Sequence, residues 1–268
     1  MSRLRISLVT PSFNQARFIR RTIDSVLGQE GNFELEYRVV DGHSTDETLD
    51  ILRSYGPRLT WTSERDGGQI DALNKGLAAA TGDVVGWLNS DDLLLPGALG
   101  RVADEFARNP HAEWVHGRCR IIDGQDWPIR AWISLYKHLR ARRHSFENLL
   151  TENYICQMTA FWRRAVHAEI GYLDNTLPLA FDYDLFVRLA RRGPPLYIGE
   201  PTACFRWYDT SKSGAGYQEQ LREAVQVAER YAGDRRWTLV RTRAKNAATA
   251  NIYRVLSAAR TALRRNAP

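Results

Sequence analysis

The chain has 268 residues, of which 44% are hydrophobic and 25% charged, and its formal net charge is +6. These values are ordinary for a globular protein with a full hydrophobic core. No run of about 18 apolar residues occurs, which excludes a transmembrane helix, and the first residues lack the apolar region of a secretory signal.

The positive charge is concentrated in two segments. Residues 235–268 contain nine lysine and arginine residues and no acidic residue, and residues 137–144 form a second basic cluster. The rest of the chain is nearly neutral, so the net charge belongs to these attachments and does not describe the whole surface.

Three cysteines lie far apart in apolar surroundings: Cys119, Cys156 and Cys204. Their spacing matches neither a metal site nor an even disulfide framework. We therefore expect buried structural thiols and a cytoplasmic protein in a reducing compartment.

The first half of the chain alternates between strands and helices. Apolar runs predict strands at residues 5–9, 37–40, 59–62 and from 84 onward. Helical spacing predicts helices at residues 16–27, after 47, at 69–80 and at 96–108. This alternation implies right-handed crossovers and an α/β fold with a mostly parallel sheet.

The second half is less regular. We predict short strands around a turn at 114–122, a strand pair within 153–163 and a strand at 204–208. Helices are predicted at 179–190, 218–231 and 238–263. Residues 127–146 are aromatic and basic, which is typical of a mobile or surface-bound insertion.

Polar clusters follow four of the first-half strands, at residues 10–14, 41–46, 64–68 and 89–92. In parallel sheets, ligands bind at the carboxyl ends of the strands, so these clusters predict one crevice. Asp91 and Asp92 follow a buried strand, where both carboxylates are desolvated and repel each other. A divalent cation would remove that cost; a helix-capping aspartate is the alternative interpretation.

Five motifs occur in a defined order: T-P-S-F-N (10–14), V-V-D-G-H-S-T-D-E-T (39–48), E-R-D-G-G-Q-I-D-A-L-N-K-G (64–76), L-N-S-D-D (88–92) and F-D-Y-D-L-F-V-R-L-A (181–190). Together they resemble family 2 glycosyltransferases. The resemblance implies a Rossmann-like GT-A domain over residues 1–216, with a nucleotide-binding half to about 117 and an acceptor-side half at 118–216. Residues 217–268 are outside it and are predicted to form a basic helical extension.

The resemblance also implies a reaction, the inverting transfer of a sugar from a nucleotide donor, usually UDP-linked. It assigns nucleotide contacts to Thr10, Pro11, Asn14, Asp41, Asp66, Gly67, Asp71 and Asp91. Asp41 would accept N–H groups of the base, with a simple turn residue as the alternative. Lys75 is similar to a helix lysine of the family, although a solvated helix face explains it equally well.

The reacting groups are implied by the same resemblance. Asp92 would hold Mn²⁺ or Mg²⁺, which bridges the two phosphates, and Asp91 would contact the ribose or sugar. Asp182 matches the catalytic base that takes the acceptor proton, while the leaving diphosphate needs an electrophile. Asp184, beside it, either raises the pKa of that base or orients the helix.

Further contacts are expected around the donor. Gln157 and Trp162 lie where the family contacts donor sugar or acceptor, with core packing as the alternative. Arg206 and Lys212 would neutralise the diphosphate. Tyr208 stands where the family often has histidine, so water would replace a metal ligand or the metal would bind more weakly.

Two other enzyme or binding classes remain as alternatives. A nucleotidyltransferase predicts a glycine- and arginine-rich loop after the first strand, and residues 10–18 contain one arginine and no glycine. A non-catalytic nucleotide-sugar-binding protein is disfavoured because Asp92 and Asp182 are both present. RNA binding is disfavoured because the strand ends are acidic.

The partners expected from these observations are a nucleotide-sugar donor and a glycan or lipid-linked acceptor of a surface glycan or glycolipid, and no nucleic acid. The basic C-terminal helices predict a peripheral contact with an anionic membrane, on the inner face of the cell membrane. A helix packed on the domain, with a solvated basic face, is the alternative.

Overall fold

One mixed sheet organises the computed structural model, which describes residues 3–208 and 217–265. Its first half is parallel: β1 (Leu4–Ser12) lies between β2 (Phe33–Asp41) and β4 (Val84–Trp87), and β3 (Thr60–Ser63) extends it beyond β2. The predicted α/β class with a mostly parallel sheet is confirmed for this half.

The second half of the sheet is mainly antiparallel. β8 (Phe161–Arg163) joins β4 to β6 (Trp114–Ile122), and β9 (Leu196–Arg206) pairs with β6 in parallel and with β5 (Leu93–Leu94) in the opposite sense. β7 (Pro128–Ile129) pairs only with β6. The strand order is β3-β2-β1-β4-β8-β6-β9-β5.

Two local predictions in this half are wrong. Residues 114–122 form one strand, whose register shifts at Gly117 and Arg118, instead of two strands around a turn. Residues 153–163 contain a 3-10 turn at Gln157–Thr159 and the short β8, instead of a strand pair. Short apolar runs do not distinguish these cases, because their pairing partners lie far along the chain.

Ten α-helices occur in the described part of the chain. They are α1 (Ile19–Leu27), α2 (Thr48–Ser54), α3 (Gln69–Ala78), α4 (Ala98–Arg108), α5 (Ala131–Ala141), α6 (Phe146–Thr151), α7 (His167–Ile170), α8 (Phe181–Arg192), α9 (Tyr217–Ala232) and α10 (Arg236–Arg265). None of the described helices has the length and hydropathy needed to cross a lipid bilayer. Within the aromatic and basic insertion at 127–146, residues 131–141 form helix α5.

The sheet separates two apolar cores. On one face α1 and α4 contribute Ile23 and Phe106, and on the other α3 and α8 contribute Leu73 and Phe186. Trp162 is completely buried in the second core, with its ring edge-on to Trp87 at 5.5 Å. The structure thus favours the core-packing alternative for Trp162 over a sugar contact.

The cysteines do not follow the sequence-based expectation. Cys119 on β6 and Cys156 form a disulfide across 37 residues of sequence, with Cα atoms 6.2 Å apart. Cys204 is a buried free thiol. Three free thiols were the premise for a reducing compartment, and that premise no longer holds.

Helix α9 is part of the second core. Val227 and Ala228 are fully buried, and the Glu223 carboxylate accepts the backbone N–H groups of Leu179 (2.7 Å) and Ala180 (2.8 Å) just before α8. Helix α10 packs on α6, where the Thr242 hydroxyl donates to the Leu150 carbonyl at 3.0 Å. Helix α9 therefore holds the start of α8 in place, and α10 packs beside it on α6.

Asp184, expected as a neighbour of the catalytic base, contributes to the packing of α9 on α8. Its buried carboxylate pairs with Arg188 at 2.8 Å and Arg230 at 3.2 Å, and accepts the Tyr231 hydroxyl at 2.9 Å. It thus connects α8 to α9, and the structure does not support a contact between Asp184 and sugar or acceptor.

We expect Gly86→Ala to lower the free energy of unfolding by about 1–3 kcal/mol, the usual cost of overpacking a core. A methyl group on Gly86 would lie 2.6 Å from the Phe161 ring and 3.1 Å from the Ala160 carbonyl oxygen. Urea denaturation measures the change. The matched strand control is Gly199→Ala, where nothing lies within 4 Å of the added methyl group; equal stability of the two variants would contradict this prediction.

We also expect Glu223→Gln to destabilise the fold by about 1–3 kcal/mol, because two buried charge-assisted hydrogen bonds weaken. Glu219→Gln on the same helix is the control, since Glu219 is exposed and pairs with Arg222 at the surface. That control should change stability by less than about 0.5 kcal/mol. Thermal unfolding of both variants tests the difference, and a neutral Glu223→Gln would show that the carboxylate charge is not needed.

Candidate active site

The two acidic residues after β4, Asp91 and Asp92, have different surroundings. Asp92 is completely buried, and its oxygens accept the backbone N–H of Arg206 at 2.8 Å and the Asn89 amide at 3.2 Å. Burial, and then the charge of Asp91, raise the pKa of Asp92 well above its usual range. The sequence-based assignment of a metal to Asp92 does not fit this geometry, because its oxygens face the protein interior.

Asp91 is only partly buried. Its carboxylate accepts the Tyr208 hydroxyl at 2.8 Å, and burial raises its pKa above the ordinary aspartate value. Of the two carboxylates, Asp91 is therefore the one with access to a ligand. Tyr208, at the position of the family's histidine, contacts this same group.

Arg206 lies behind the pair instead of facing a diphosphate. Its fully buried guanidinium donates to the carbonyl oxygens of Asp91 (2.7 Å) and Asp123 (3.0 Å), pairs with Asp126, and lies 4.7 Å from the Phe18 ring centroid. The expected diphosphate contact of Arg206 is thus contradicted by its burial. Lys212, the other expected cation, falls outside the described residues.

A chain of side-chain amides supports the pair from the other side. Gln69 donates to the Asn89 carbonyl oxygen at 2.9 Å, Asn89 donates to Gln157 at 3.2 Å, and Gln157 donates to the Trp87 carbonyl at 2.7 Å. Gln157 is therefore buried behind Asp92, where it orients the segment. Sequence reasoning missed Gln69 and Asn89, although both lie inside the quoted motifs.

The end of β2 is braced by Asp41. Its buried carboxylate accepts the backbone N–H of Ser44 (2.9 Å) and the hydroxyls of Ser44 (2.5 Å) and Ser63 (2.8 Å). In this structure Asp41 fixes the loop at 41–48; a contact with a nucleotide base stays a prediction.

The loop after β1 is tied to the same place. The Asn14 N–H donates to the Ser44 hydroxyl and the Asn14 side chain accepts the Thr45 N–H, both at 2.8 Å. Asn14 is exposed and has a left-handed backbone (φ 52°), whereas Thr10 and Pro11 are buried at the end of β1. Of these three expected nucleotide contacts, Asn14 is the accessible side chain.

The segment before α3 forms a third side of the crevice. Asp66 accepts the Gly68 N–H at 2.8 Å, and Asp71 accepts the Gly67 N–H at 3.0 Å, which lowers the Asp71 pKa. A methyl group on Gly42 would lie only 3.0 Å from the Asp66 carboxylate, so the β2 loop and this segment touch. Lys75 pairs with Glu64 and Asp71. These ion pairs agree with the alternative interpretation, in which Lys75 lies on a solvated helix face.

Asp182 lies in the first turn of α8. The residue is partly buried, and its carboxylate accepts the Tyr183 N–H at 2.7 Å. Burial raises the Asp182 pKa, and this outweighs the opposing effects of the Tyr183 N–H, the Lys137 ammonium and the Asn153 side chain. Sequence reasoning did not connect Lys137 or Asn153 with this carboxylate, because they lie 45 and 29 positions earlier.

The two acidic sites belong to one region of the molecule. The ring of Phe181, next to Asp182, lies 6.0 Å from the ring of Trp87 at the end of β4. No group of three or more histidine, cysteine, aspartate or glutamate side chains suited to a metal ion occurs among the described residues.

Solved structures share this fold. The S. aureus TarS 1–349 structure in complex with UDP-GlcNAc superposes with a TM-score of 0.63 at 18% identity, covering 84% of this chain and 66% of that one. The Pyrobaculum calidifontis mannosyltransferase PcManGT, in complex with GDP-Man and Mn²⁺, gives 0.62 at 21% identity, covering 97% and 80%. At these identities the likeness shows the GT-A fold.

Sequence relatives are closer. Chondroitin synthase of Escherichia coli is 29% identical over 73% of this chain, but the match spans only 28% of that enzyme. An uncharacterised glycosyltransferase of Mycobacterium tuberculosis is 30% identical over 72% of this chain and 71% of its own length. A PGL/p-HBAD biosynthesis glycosyltransferase of Mycobacterium bovis is 31% identical, over 68% of each.

Residues 7–171, more than half of the chain, match the family described as Glycosyl transferase family 2. This segment includes four of the five motifs and both acidic residues after β4, while Asp182 lies beyond its end at residue 171. Together with the relatives of similar length, the match establishes that the chain belongs to glycosyl transferase family 2.

Proposed function

We propose that this enzyme transfers a sugar, with inversion, from a nucleotide-diphosphate donor to a glycan or lipid-linked acceptor, and that UDP-sugars are its donors. The observation that carries the proposal is the partly exposed carboxylate of Asp91, backed by the buried Asp92, in the same region as Asp182. The complexes of structural neighbours with UDP-GlcNAc and with GDP-Man and Mn²⁺ support a nucleotide-sugar donor.

The donor set near Asp91 fits a hard divalent cation. Asp91 supplies a carboxylate oxygen of the kind that Mg²⁺ and Mn²⁺ prefer, and substrate phosphates and water would complete the shell. The buried pair also gains from a nearby positive charge, because burial raises the pKa of both carboxyls. When bound, the cation would neutralise the diphosphate as it leaves.

The chain's own residues divide the remaining work. Asp182 takes the proton of the acceptor hydroxyl as the acceptor oxygen bonds to the anomeric carbon and the bond from that carbon to the diphosphate breaks. A raised pKa suits this role, since it brings the carboxylate closer to the basicity needed near neutral pH. Asn14, Asp66, Gly67 and Asp71 are the proposed nucleotide contacts at the crevice, with Asp41 positioning their loop.

Two other roles are less well supported. A nucleotidyltransferase needs a triphosphate grip after β1, and that loop is closed by its hydrogen bonds to Ser44, Asp46 and Thr48. A non-catalytic nucleotide-sugar-binding protein has no need for a carboxylate of raised pKa at Asp182. Donor turnover separates both from the proposed enzyme.

We expect a panel of nucleotide sugars with Mn²⁺ or Mg²⁺ to show slow hydrolysis of at least one donor, and Asp91→Asn to reduce its rate by about 10²-fold. Asp182→Asn should reduce transfer to an acceptor by about 10²- to 10⁴-fold while leaving donor affinity nearly unchanged. Asp104→Asn, on the exposed face of α4, is the control. An Asp91→Asn variant as active as the parent would refute the assignment.

The pH dependence tests Asp182 separately. A base acts when deprotonated, so the rate should rise with pH through its folded pKa. Burial raises that pKa and Lys137 opposes the rise, so Lys137→Met should shift the acid limb of kcat/KM to higher pH. The measurement is kcat/KM over about pH 4 to 8, with Arg108→Met on α4 as control; an unmoved limb, or one moved to lower pH, would contradict the role of Asp182.

A further inference from the structure

Helix α5 exposes an apolar stripe to solvent. Trp132, Leu135, Tyr136 and Leu139 recur at spacings of three and four residues, which places them on one helix face, and they are 70%, 50%, 39% and 52% exposed. The opposite face carries the buried Ser134 and Ala141, which lie against the domain. An exposed cluster of large apolar side chains marks an interaction surface.

Helix α10 extends this surface. Lys245 contacts Tyr136, with its ammonium 2.6 Å from the hydroxyl oxygen and 5.3 Å from the ring centroid. Arg241 and Trp237 lie four and eight residues before Lys245, so they follow the same flank of α10 toward its start. Trp237 is 82% exposed.

The charge around this surface is positive. Glu152 is neutralised by Arg140 and Lys245, and Glu147 pairs with Arg235. Four exposed arginines near this surface have no ion pair within the described ranges. Among nearby acidic residues, Asp234 also has none, so the unpaired charge is mainly positive. These arginines are Arg142, Arg143, Arg236 and Arg241.

We propose that the α5 surface, formed by Trp132, Leu135, Tyr136, Leu139, Arg142 and Arg143 with Trp237 and Arg241 of α10, binds the interface of an anionic lipid bilayer. The apolar side chains would enter the boundary between headgroups and acyl chains, where tryptophan and tyrosine are favoured. The guanidinium groups would contact lipid phosphates, each attracted by the negative surface potential. The charge complementarity selects this partner over an uncharged apolar one.

The orientation of α5 adds a consequence for the acceptor, which rests on the proposed function. Lys137 lies on the inward side of α5, away from the apolar stripe, and its charge acts on Asp182. The apolar stripe and the ammonium group that acts on the candidate base thus belong to the same helix. This arrangement fits an acceptor hydroxyl carried on a lipid headgroup.

Co-sedimentation with vesicles tests the proposal. The full chain should bind vesicles of phosphatidylcholine containing about one third phosphatidylglycerol, and Trp132→Ser/Leu139→Ser should lower the partition coefficient by about tenfold or more. Arg142→Glu/Arg143→Glu should weaken binding to the anionic vesicles and leave the weak binding to pure phosphatidylcholine unchanged. The matched controls are Tyr172→Ser and Arg53→Glu/Arg58→Glu, exposed positions elsewhere on the molecule, which should bind like the parent.

Vesicle binding and oligomeric state together test whether the α5 surface binds lipid. Absence of vesicle binding by the parent, or equal binding by the Trp132→Ser/Leu139→Ser variant, would overturn the proposal. A dimer in solution that the same substitutions dissociate, without vesicle binding, would show a surface for a second copy instead. Donor hydrolysis measured without vesicles separates the two claims: it should be the same in parent and surface variants, and its absence from all would refute the enzyme but not the lipid surface.

Discussion

Two adjacent carboxylates at the end of a buried strand are the constraint on which the rest of the active region depends. Asp91 and Asp92 repel each other and lose hydration, so the fold surrounds Asp92 with donors and leaves Asp91 accessible. The backbone and guanidinium of Arg206, at the end of β9, supply much of that support from the opposite half of the sheet. The parallel half and the mixed half are thus fastened together at the acidic segment, which is also where a donor diphosphate is expected.

The sequence predicted the parallel half of the sheet well, because its strands and helices have clear periodicities and its motifs lie at strand ends. It did not predict which way neighbouring side chains face. Asp92 and Arg206 are 114 positions apart and meet in the interior. Their residue types suggested ligand contacts, whereas their surroundings show that they support the fold. The same reason explains Trp162 and Asp184, whose aromatic and acidic character is typical of a binding site but whose partners are core rings and helix cations.

The irregular second half was the least predictable part. Its strands are short, its pairing is long-range, and α5 has a reversed pattern in which large apolar residues face outward and small ones face inward. Such a helix cannot be placed by amphipathicity alone, because its apolar face does not mark the core. The disulfide between Cys119 and Cys156 could not be predicted for a similar reason. Strand β6 and the residue just before the Gln157–Thr159 turn become neighbours only in the folded sheet.

The two hydrogen bonds that the Glu223 carboxylate accepts from the backbone just before α8 affect the order of assembly during synthesis. The elements of the parallel half, from β1 to α4, are synthesised before the segment that carries Asp182. Two backbone N–H groups just before α8 find their acceptor, the Glu223 carboxylate, on α9, 44 and 43 residues downstream. These two N–H groups therefore lack their carboxylate acceptor until α9 has been synthesised, so the start of α8 is completed late.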